Sequence, residues 1–467
     1  MYIEGVTDLN PITQRVSHMA DTILGFSLDK SNEKLTDRGM IAVLDEHLQA
    51  LGVPGQVAAG FPAPGSNNGI APADYVRTLL YHFTDGGRHL EEVRDLKTDA
   101  GFRELVDLER MPGPDAVGDW LRRMGEDGLG GAAAVRHVND EIVRRYVAET
   151  PERGEFVLDV DATLIEADKG DGQRSYDGTV GYHPMLAFLS SLSSGGDGSS
   201  KPCCSYTQFR AGNASAQIDI REATSHTVKL LAEQGRSLGY FRSDSAGYQA
   251  DLTNDLNRTS ITYTITADLD SAVKGAIRAI PEERWRRFID RDGFQTGRDV
   301  AEAVHTMERS DHAFRLVVWR ERVAQPDLFE AHGAYRYGAV ITNAEPDELN
   351  AQAVIHHHRG RGNAERFIGE AKHGLNLRHV PCGQQRANGM YFAIGLLCYN
   401  VLKLMQMQVM PKQQANQTVA TLRDTFFRLV SKVTRSARRL TLQVGASLDT
   451  LKRICTVRRN IYEMGYV

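Results

Sequence analysis

The stretch EFVLDVDAT, residues 155–163, decides the fold class, because its apolar and β-branched residues predict a buried strand. This run ends at Asp161, and a second run of the same kind, GYFRSD, ends at Asp244. Sheets flanked by helices place reactive side chains at the ends of such strands. We therefore expect an α/β protein in which the two acids converge.

Each of these acids has an alternative interpretation. Asp159 lies two residues before Asp161 on the same strand and points to the same face, so it could be the functional acid instead. The Asp-x-Thr pattern at 161–163 favours Asp161. Asp244 could simply cap a helix that starts at SAGYQADL, a role that aspartate often has.

A third segment, HHHRGRGNAERFIGEAKHGLNL at 356–377, carries the third acid. On a helix turning by about 100° per residue, His358, Arg361, Glu365 and Lys372 fall within an arc of roughly 60°. One carboxylate flanked by permanent cations suits both a metal ion and a phosphate group. Three acids late in separate elements therefore predict a divalent metal site.

Neighbouring residues of this segment are expected to have other roles. Glu370 falls on the opposite side of the predicted helix from Glu365, and we expect it to face solvent. His356 and His357 resemble a metal cluster only superficially, because sequence neighbours diverge on a helix. Loop or phosphate contacts are favoured for both.

Length and composition restrict the class of protein. A chain of 467 residues can bury a large core and is expected to form two or three domains. The formal net charge of −5 excludes a globally basic coat, so any polyanion must bind local patches. The five cysteines form no zinc-binding spacing, which favours free thiols in a reducing compartment. The start of the chain lacks the pattern of a secretory signal, and the apolar stretch GMYFAIGLLCYNVLKLMQMQVM is predicted to be a buried core helix.

Changes in periodicity divide the chain. In the first part of the chain, apolar residues recur every three or four positions, which predicts helices. Strands follow from about residue 151, and a charged, strand-rich insertion precedes the Glu365 helix. The predicted regions are an α-helical N-terminal region at 1–150, a mixed-sheet core at 151–268, a β-rich insertion at 269–349, the second part of the core at 350–410, and a basic helical region at 411–467.

Several cations and aromatic residues are candidates for binding a polyanion. A helix with Asp115 as its expected N-cap carries Arg122 and Arg123; it resembles one end of a DNA-binding helix-turn-helix, or is an ordinary surface helix. Trp285 and Trp319 could stack on an extruded base or pack internally. The tail is strongly cationic, and because solvated faces usually mix signs, polyanion contact is favoured there. Its cations are Arg423, Arg428, Lys432, Arg435, Arg438, Arg439, Lys452, Arg453, Arg458 and Arg459.

The acidic motifs resemble those of a known class of enzyme. His358, Arg361, Glu365 and Lys372 match the spacing of the Tyr-x2-Arg-x3-Glu-x6-Lys signature found in many bacterial insertion-sequence transposases. The motifs LDVDAT, RSDSAGY and RGNAERFIGEAKHGLNLRHV resemble the Asp-Asp-Glu (DDE) transposases of the insertion-sequence thirteen-eighty family. The resemblance spans roughly residues 35 to 440. It departs at His358, where the wider signature has tyrosine, so the role of that residue is open.

The resemblance implies an RNase-H-like core with a β-rich insertion, an all-α N-terminal region, and cut-and-paste DNA transposition. Asp161, Asp244 and Glu365 would then hold Mg²⁺, for which Mn²⁺ could substitute, while His358, Arg361 and Lys372 bind DNA phosphates. The implied partners are the terminal inverted repeats and target DNA, bound by a homodimer. No membrane partner is expected, and the implied location is the bacterial cytoplasm at the nucleoid. The possible further DNA contacts are Arg122, Arg123, Trp319, Arg435, Arg438 and Arg439.

Two alternatives stay open. One is a catalytically inactive or domesticated DNA-binding protein of the same fold. The other is a nuclease that cuts DNA without joining it.

Overall fold

The N-terminal part of the protein is a set of helices, as its apolar spacing predicts. The computed structural model describes residues 31–151, 155–192, 201–323, 335–437 and 439–465. A two-residue strand precedes the helices. The elements are β1 (Leu35–Thr36), α1 (Ile41–Ala50), α2 (Val53–Gly60), α3 (Pro72–Asp85), α4 (Val93–Thr98), α5 (Ala100–Leu105), α6 (Pro114–Met124) and α7 (Gly131–Glu149).

Helix α6 is the predicted helix of Arg122 and Arg123, but it begins two residues earlier than expected. Its N-cap is Gly113 and Pro114 occupies the first turn, so the assignment of Asp115 as the N-cap is wrong. Proline suits this position because its fixed φ is helical and it lacks an N–H that would have no partner there. Both arginines are exposed on α6, while Trp120 on its inner face is buried.

A large mixed sheet forms the centre of the protein. Its nine strands lie in the order β10, β11, β12, β13, β9, β8, β2, β6, β7. Strands β2, β8 and β9 run parallel, whereas all other neighbours are antiparallel, which confirms the predicted mixed sheet. These strands are β2 (Glu155–Ala162), β6 (Met185–Leu192), β7 (Cys203–Gln208), β8 (Leu238–Ser243), β9 (Thr262–Thr266), β10 (Arg286–Ile289), β11 (Gln295–His305), β12 (Phe314–Arg322) and β13 (Tyr335–Thr342).

Smaller elements connect the strands of this sheet. A separate three-stranded sheet follows β2, and helices cover the crossovers. They are β3 (Ile165–Glu166), β4 (Gln173–Arg174), β5 (Val180–Tyr182), α8 (Ile220–Glu233), α9 (Ala250–Arg258) and α10 (Ser271–Arg278).

The strands predicted as an insertion extend the central sheet. The last of them, β13, pairs with β9 of the core through Thr342 and Thr264. Strands β10 to β13 are therefore continuous with the core sheet and do not form a sheet of their own among the described residues. Their apolar face packs on the helix that follows β13, with Val317 and Val340 against Val354 and Ile355.

The remaining elements carry the third acid and the tail. The helix predicted around Glu365 consists of α11 (Ala351–Arg359), α12 (Gly362–Gly369) and a π-helical turn (Glu370–Gly374). After it come α13 (Gln385–Gln408), α14 (Lys412–Ala415), α15 (Val419–Leu422), β14 (Ser431–Ser436), β15 (Arg439–Val444) and α16 (Leu448–Met464).

The expectation of a helical C-terminal region is wrong for residues 431–444. Strands β14 and β15 form a hairpin, and β14 also pairs with β1. In β15, Leu440, Leu442 and Val444 alternate with polar residues, a period of two that suits a half-buried strand. The tail is thus anchored to the beginning of the described chain.

Helix α13 is the apolar stretch that the sequence predicts as a core helix. It is long and apolar enough to cross a membrane, but 89% of its most apolar 18-residue stretch is buried inside the protein. Burial on nearly all sides by protein confirms the prediction of a core helix.

The buried histidines of the helical region make stability dependent on pH. Burial lowers the pKa of His82 from 6.5 to about 4 and has the same effect on His47. Since the folded pKa lies below the unfolded one, the unfolded chain takes up protons first as the pH falls below about 6.5. The free energy of unfolding should fall between pH 6.5 and 4, by about 3 kcal/mol for each histidine.

Urea unfolding at about pH 7 and about pH 4.5 measures this loss. The variant His82→Gln should lose less stability than the wild type over the same interval, because it lacks one of the protonatable groups. Equal losses in the two proteins would contradict the assignment.

Candidate active site

A buried ion pair between neighbouring strands underlies the site. Asp159 on β2 lies opposite Arg242 on β8, and the two side chains meet in a bidentate pair of 2.7 and 2.6 Å. Arg242 also donates to the backbone carbonyl of His357 on α11 at 3.1 Å. Both carboxylate oxygens of Asp159 are engaged in this way, which favours Asp161 as the reactive acid of the strand.

Asp161 and Asp244 end these two strands. The register that pairs Val160 with Ser243 brings the following residues, Asp161 and Asp244, to the same end of the sheet. Oδ1 of Asp244 accepts a hydrogen bond from the N–H of Ala246 at 3.0 Å, so the residue does cap a turn. Burial and the nearby charge of Asp244 raise the pKa of Asp161 to about 7, and Glu365 contributes in the same direction.

Arg361 joins Asp161 to the third acid. Its guanidinium lies 3.6 Å from Oδ2 of Asp161 and 3.1 Å from Oε1 of Glu365. Glu365 is on the exposed face of α12, with a side chain 63% exposed, whereas that of Asp161 is 16% exposed. The predicted adjacency of Arg361 and Glu365 on one helix face is therefore present.

The donor set suits a hard divalent cation, because all three groups are carboxylates and they repel one another. Yet no three Asp, Glu, His or Cys side chains in the described part of the chain lie close enough to coordinate one ion. In this conformation Arg361 lies between Asp161 and Glu365 and neutralises both carboxylates. Coordination of one ion by all three acids would require Arg361 and Glu365 to move.

Lys372 contacts the loop that follows Asp161 and is engaged there. Its Nζ donates to Oγ1 of Thr163 at 3.1 Å and to the carbonyl of Leu164 at 2.8 Å. Burial and the charge of Arg378 lower its pKa. The lysine therefore holds the loop that follows Asp161, and the π-helical turn directs it there.

His358 holds α11 against the sheet. Its ring nitrogens lie 3.1 Å from the carbonyl of Thr264 and 2.9 Å from Oγ1 of Thr266 on β9. Since a carbonyl only accepts, Nδ1 is the donor and Nε2 accepts from the hydroxyl. Burial and Arg361 lower the pKa of His358 to about 4, so this neutral ring serves as a support in this conformation.

The other two histidines of the segment also make internal contacts. His356 lies 2.9 Å from the carbonyl of Ile289, the last residue of β10. His357 lies 3.3 Å from the hydroxyl of Thr264, and its ring packs on Tyr240. The His356 ring therefore contacts the end of a strand, and the expectation of loop or phosphate contacts for His356 and His357 stays a prediction.

The expectation that Glu370 faces solvent is wrong. Its carboxylate pairs with Lys403 at 2.7 Å and accepts hydrogen bonds from Tyr399 and from the N–H of Val419. Its side chain is only 13% exposed. Glu370 does lie away from Glu365, but α13 and the segment before α15 cover that side of the helix.

Sequence reasoning missed two residues that support the site, Arg242 and Gly360. A Cβ at position 360 would overlap the guanidinium of Arg242, so only glycine lets α11 end beside it. One signal was available for Arg242: it and Asp159 are opposite charges within two otherwise apolar strands, and buried charges are normally paired.

Both tryptophans of the strand-rich segment make internal contacts. The Trp319 ring covers Gly338 of β13, where a Cβ would overlap it, and it packs against the guanidinium groups of Arg298 and Arg336 at 4.7 and 5.8 Å. Arg320 lies 4.3 Å from the Trp285 ring centre. These contacts favour packing for both indoles in this conformation.

Several cations of the tail are paired with acids of the helical region. Arg435 contacts Glu104 at 2.6 Å, and Arg458 pairs with Glu46. Arg439 is exposed, and Arg438 lies outside the described residues. A considerable part of the positive charge in the tail therefore serves to attach it to the N-terminal helices.

A sheet that brings two strand-end aspartates beside a helical Glu and Arg has the composition of a metal-dependent nuclease site. Comparison with known proteins then identifies the family. Residues 34–465 match the family model described as transposase DDE domain group 1, and the chain belongs to this family. It is therefore a transposase-family protein.

The other comparisons are distant. A search of curated proteins finds no match to the sequence. Among solved structures, the piggyBac transposase synaptic complex with hairpin DNA is similar with 12% identity and a TM-score of 0.39. That match covers 84% of this chain and 80% of the other, and its TM-score is too low to establish a common fold.

The close approach of Arg242 to Gly360 leads to a testable prediction. Gly360→Ala should displace Arg242 from Asp159 and lower the free energy of unfolding by on the order of 3 kcal/mol, as expected for disturbing a buried ion pair. Gly362→Ala is the matched control, since an added Cβ there meets nothing within 4 Å. Urea unfolding of both variants provides the comparison, and a Gly360→Ala protein as stable as the control would contradict the role of Arg242.

Proposed function

We propose that the protein is a DNA transposase that cuts DNA at transposon ends and joins those ends to target DNA, in cut-and-paste transposition. Membership of the DDE transposase family supports this proposal. The observation that carries it is the position of Arg361 between Asp161 and Glu365, with Asp244 beside Asp161. This arrangement provides acids for metal and a cation for phosphate at one place.

In this proposal Asp161, Asp244 and Glu365 hold Mg²⁺, for which Mn²⁺ can substitute, as DDE transposases generally depend on divalent metal. The metal would activate the attacking oxygen and stabilise the leaving oxygen of a phosphodiester. Arg361 gives up its carboxylate partners and binds a DNA phosphate with its planar donor groups. Lys372 holds the Thr163–Leu164 loop and so positions Asp161; His358 fixes α11, and with it the start of the Arg361 turn.

We further propose an RNase-H-like core formed by 151–268 and 350–410, interrupted by the strand-rich segment 269–349. The antiparallel order β7, β6, β2 followed by parallel β8 and β9 supports this assignment. Residues 1–150 would recognise DNA, with Arg122 and Arg123 as exposed candidates on α6. Residues 411–467 would form the basic C-terminal region. The specific relationship to the insertion-sequence thirteen-eighty family belongs to the same proposal.

The proposed partners are the terminal inverted repeats and target DNA, bound by a homodimer in the bacterial cytoplasm at the nucleoid. Duplex DNA carries dense negative charge, and local cationic surfaces on an acidic protein can bind it.

Two variants separate chemistry from DNA binding. Glu365→Gln keeps size and hydrogen bonding but loses the charge that holds metal, so it should bind transposon-end DNA normally and cleave nothing detectable. Arg361→Ala keeps all three acids but loses a phosphate contact, so it should retain weak cleavage with poorer DNA engagement. Exposed Glu345→Gln is the control.

The measurement is cleavage and strand transfer of labelled DNA that contains the ends flanking the gene, with Mg²⁺ at fixed concentration. Wild-type cleavage by Glu365→Gln would refute the site. Cleavage by the wild-type protein without any joined product would instead indicate the non-joining nuclease.

The salt dependence of DNA binding tests which cations contact the backbone. Arg291, Arg336 and Arg359 have no acid within ion-pair distance among the described residues, and Arg359 follows His358 beside the site. Replacing all three with Gln should flatten the plot of log affinity against log salt by about 0.9 for each lost phosphate contact. Replacing Arg435, Arg439 and Lys452, whose charges are partly paired, should change it less. Equal slopes for the two triple variants would contradict this ranking.

A further inference from the structure

A cationic region lies behind α12, on the opposite side of this helix from Glu365. It is an open cavity of about 620 Å³ between α12 with its π-helical turn, α13 and the segment before α15. Lys201, Arg366, His373 and Lys403 contribute to its wall, and Glu370 is the single acid among the described residues that line it. None of these five residues belongs to the acid site described above.

The charges of this cavity do not balance. Glu370 is neutralised by Lys403, with which it shares a contact of 2.7 Å, and the N–H of Val419 and the hydroxyl of Tyr399 satisfy it further. Lys201 and Arg366 have no acid within ion-pair distance in the described part of the chain. Lys403 lies within electrostatic range of both, so three cationic side chains share one acid. Burial and the charge of Lys403 lower the pKa of Lys201 to about 8, as expected for cations that lack enough acids to pair with.

The donors of these cations are only partly used. The Nζ of Lys201 donates to the carbonyl of Gln406 at 3.0 Å, which leaves two of its three N–H groups available. Arg366 lies over the ring of Phe367, with its guanidinium carbon 5.3 Å from the ring centre. The side-chain amides of Asn416 and Gln417 line the same wall and add neutral donors.

We propose that this cavity binds a phosphate group, held by Lys201 and Arg366 with the amides of Asn416 and Gln417. Surplus positive charge, a planar guanidinium fork and a compact ammonium form the donor set that proteins use for phosphate. The phosphate belongs either to the DNA backbone or to a free phosphate compound. The inference that the cavity binds phosphate rests on the cavity alone. Only the assignment of that phosphate to DNA rests on the proposed function.

This site has a direct structural link to the acid site. Arg366 follows Glu365 in α12, and Glu370 begins the π-helical turn that continues this helix. A phosphate in the cavity therefore contacts the helix that carries the third acid, from its other side.

Inorganic pyrophosphate is the first probe, titrated into the full chain by calorimetry at constant ionic strength without divalent metal. The double variant Lys201→Gln/Arg366→Gln should bind it about tenfold more weakly or worse, since each charged contact contributes appreciably. Lys274→Gln/Arg309→Gln removes the same charge from exposed positions elsewhere and should bind as the wild type does. The single variant Arg366→Gln, at an exposed position, should show an intermediate loss of pyrophosphate affinity. It keeps the test valid if the double variant fails to fold.

Transposon-end DNA is the second probe, and the slope of its affinity with salt is the measured quantity. A slope flattened in Lys201→Gln/Arg366→Gln but not in the control assigns the site to the DNA backbone. An unchanged slope with weakened pyrophosphate binding assigns it to a free phosphate compound. Pyrophosphate binding that is equal in the double variant and the wild type, or absent from the wild type, overturns the proposal, whatever the cleavage assay shows of the acid site.

Discussion

The buried ion pair between Asp159 and Arg242 is the interaction on which the rest of the site depends. It joins β2 to β8 in one register, and it reaches α11 through the carbonyl of His357. That register is what sets Asp161 beside Asp244. Removing either partner would leave an uncompensated charge in the sheet, at a cost of about 3 to 5 kcal/mol. The pair thus links the pairing of the strands to the position of α11.

Charge is distributed unevenly around the short helix α12. Its front carries Glu365, which with Asp161 and Asp244 forms an acidic centre that Arg361 neutralises in this conformation. Its back faces the surplus of cations around Lys201 and Arg366. The same eight-residue element therefore separates a site suited to cations from one suited to anions.

The strands and the acids that end them could be predicted from sequence, since a run of apolar residues broken by an acid is a local signal. The helix faces were predicted less well. Glu370 does point away from Glu365, but sequence spacing does not reveal that α13 covers that side. The tail was misjudged for a related reason: Arg435 and Arg458 meet Glu104 and Glu46, which lie hundreds of residues earlier in the chain. Such pairings depend on the tertiary fold.

The central sheet and the short helix give the acids different freedom of movement. Strands β2 and β8 have hydrogen-bonded neighbours on both sides, so their amide hydrogens exchange only when the sheet itself opens. Helix α12 is a short element between a turn at Gly360 and a π-helical turn, and we expect it to open locally at lower free energy than the sheet. Asp161 and Asp244 therefore form a rigid half of the site, whereas Glu365 belongs to a half that a single short segment can bring in or withdraw.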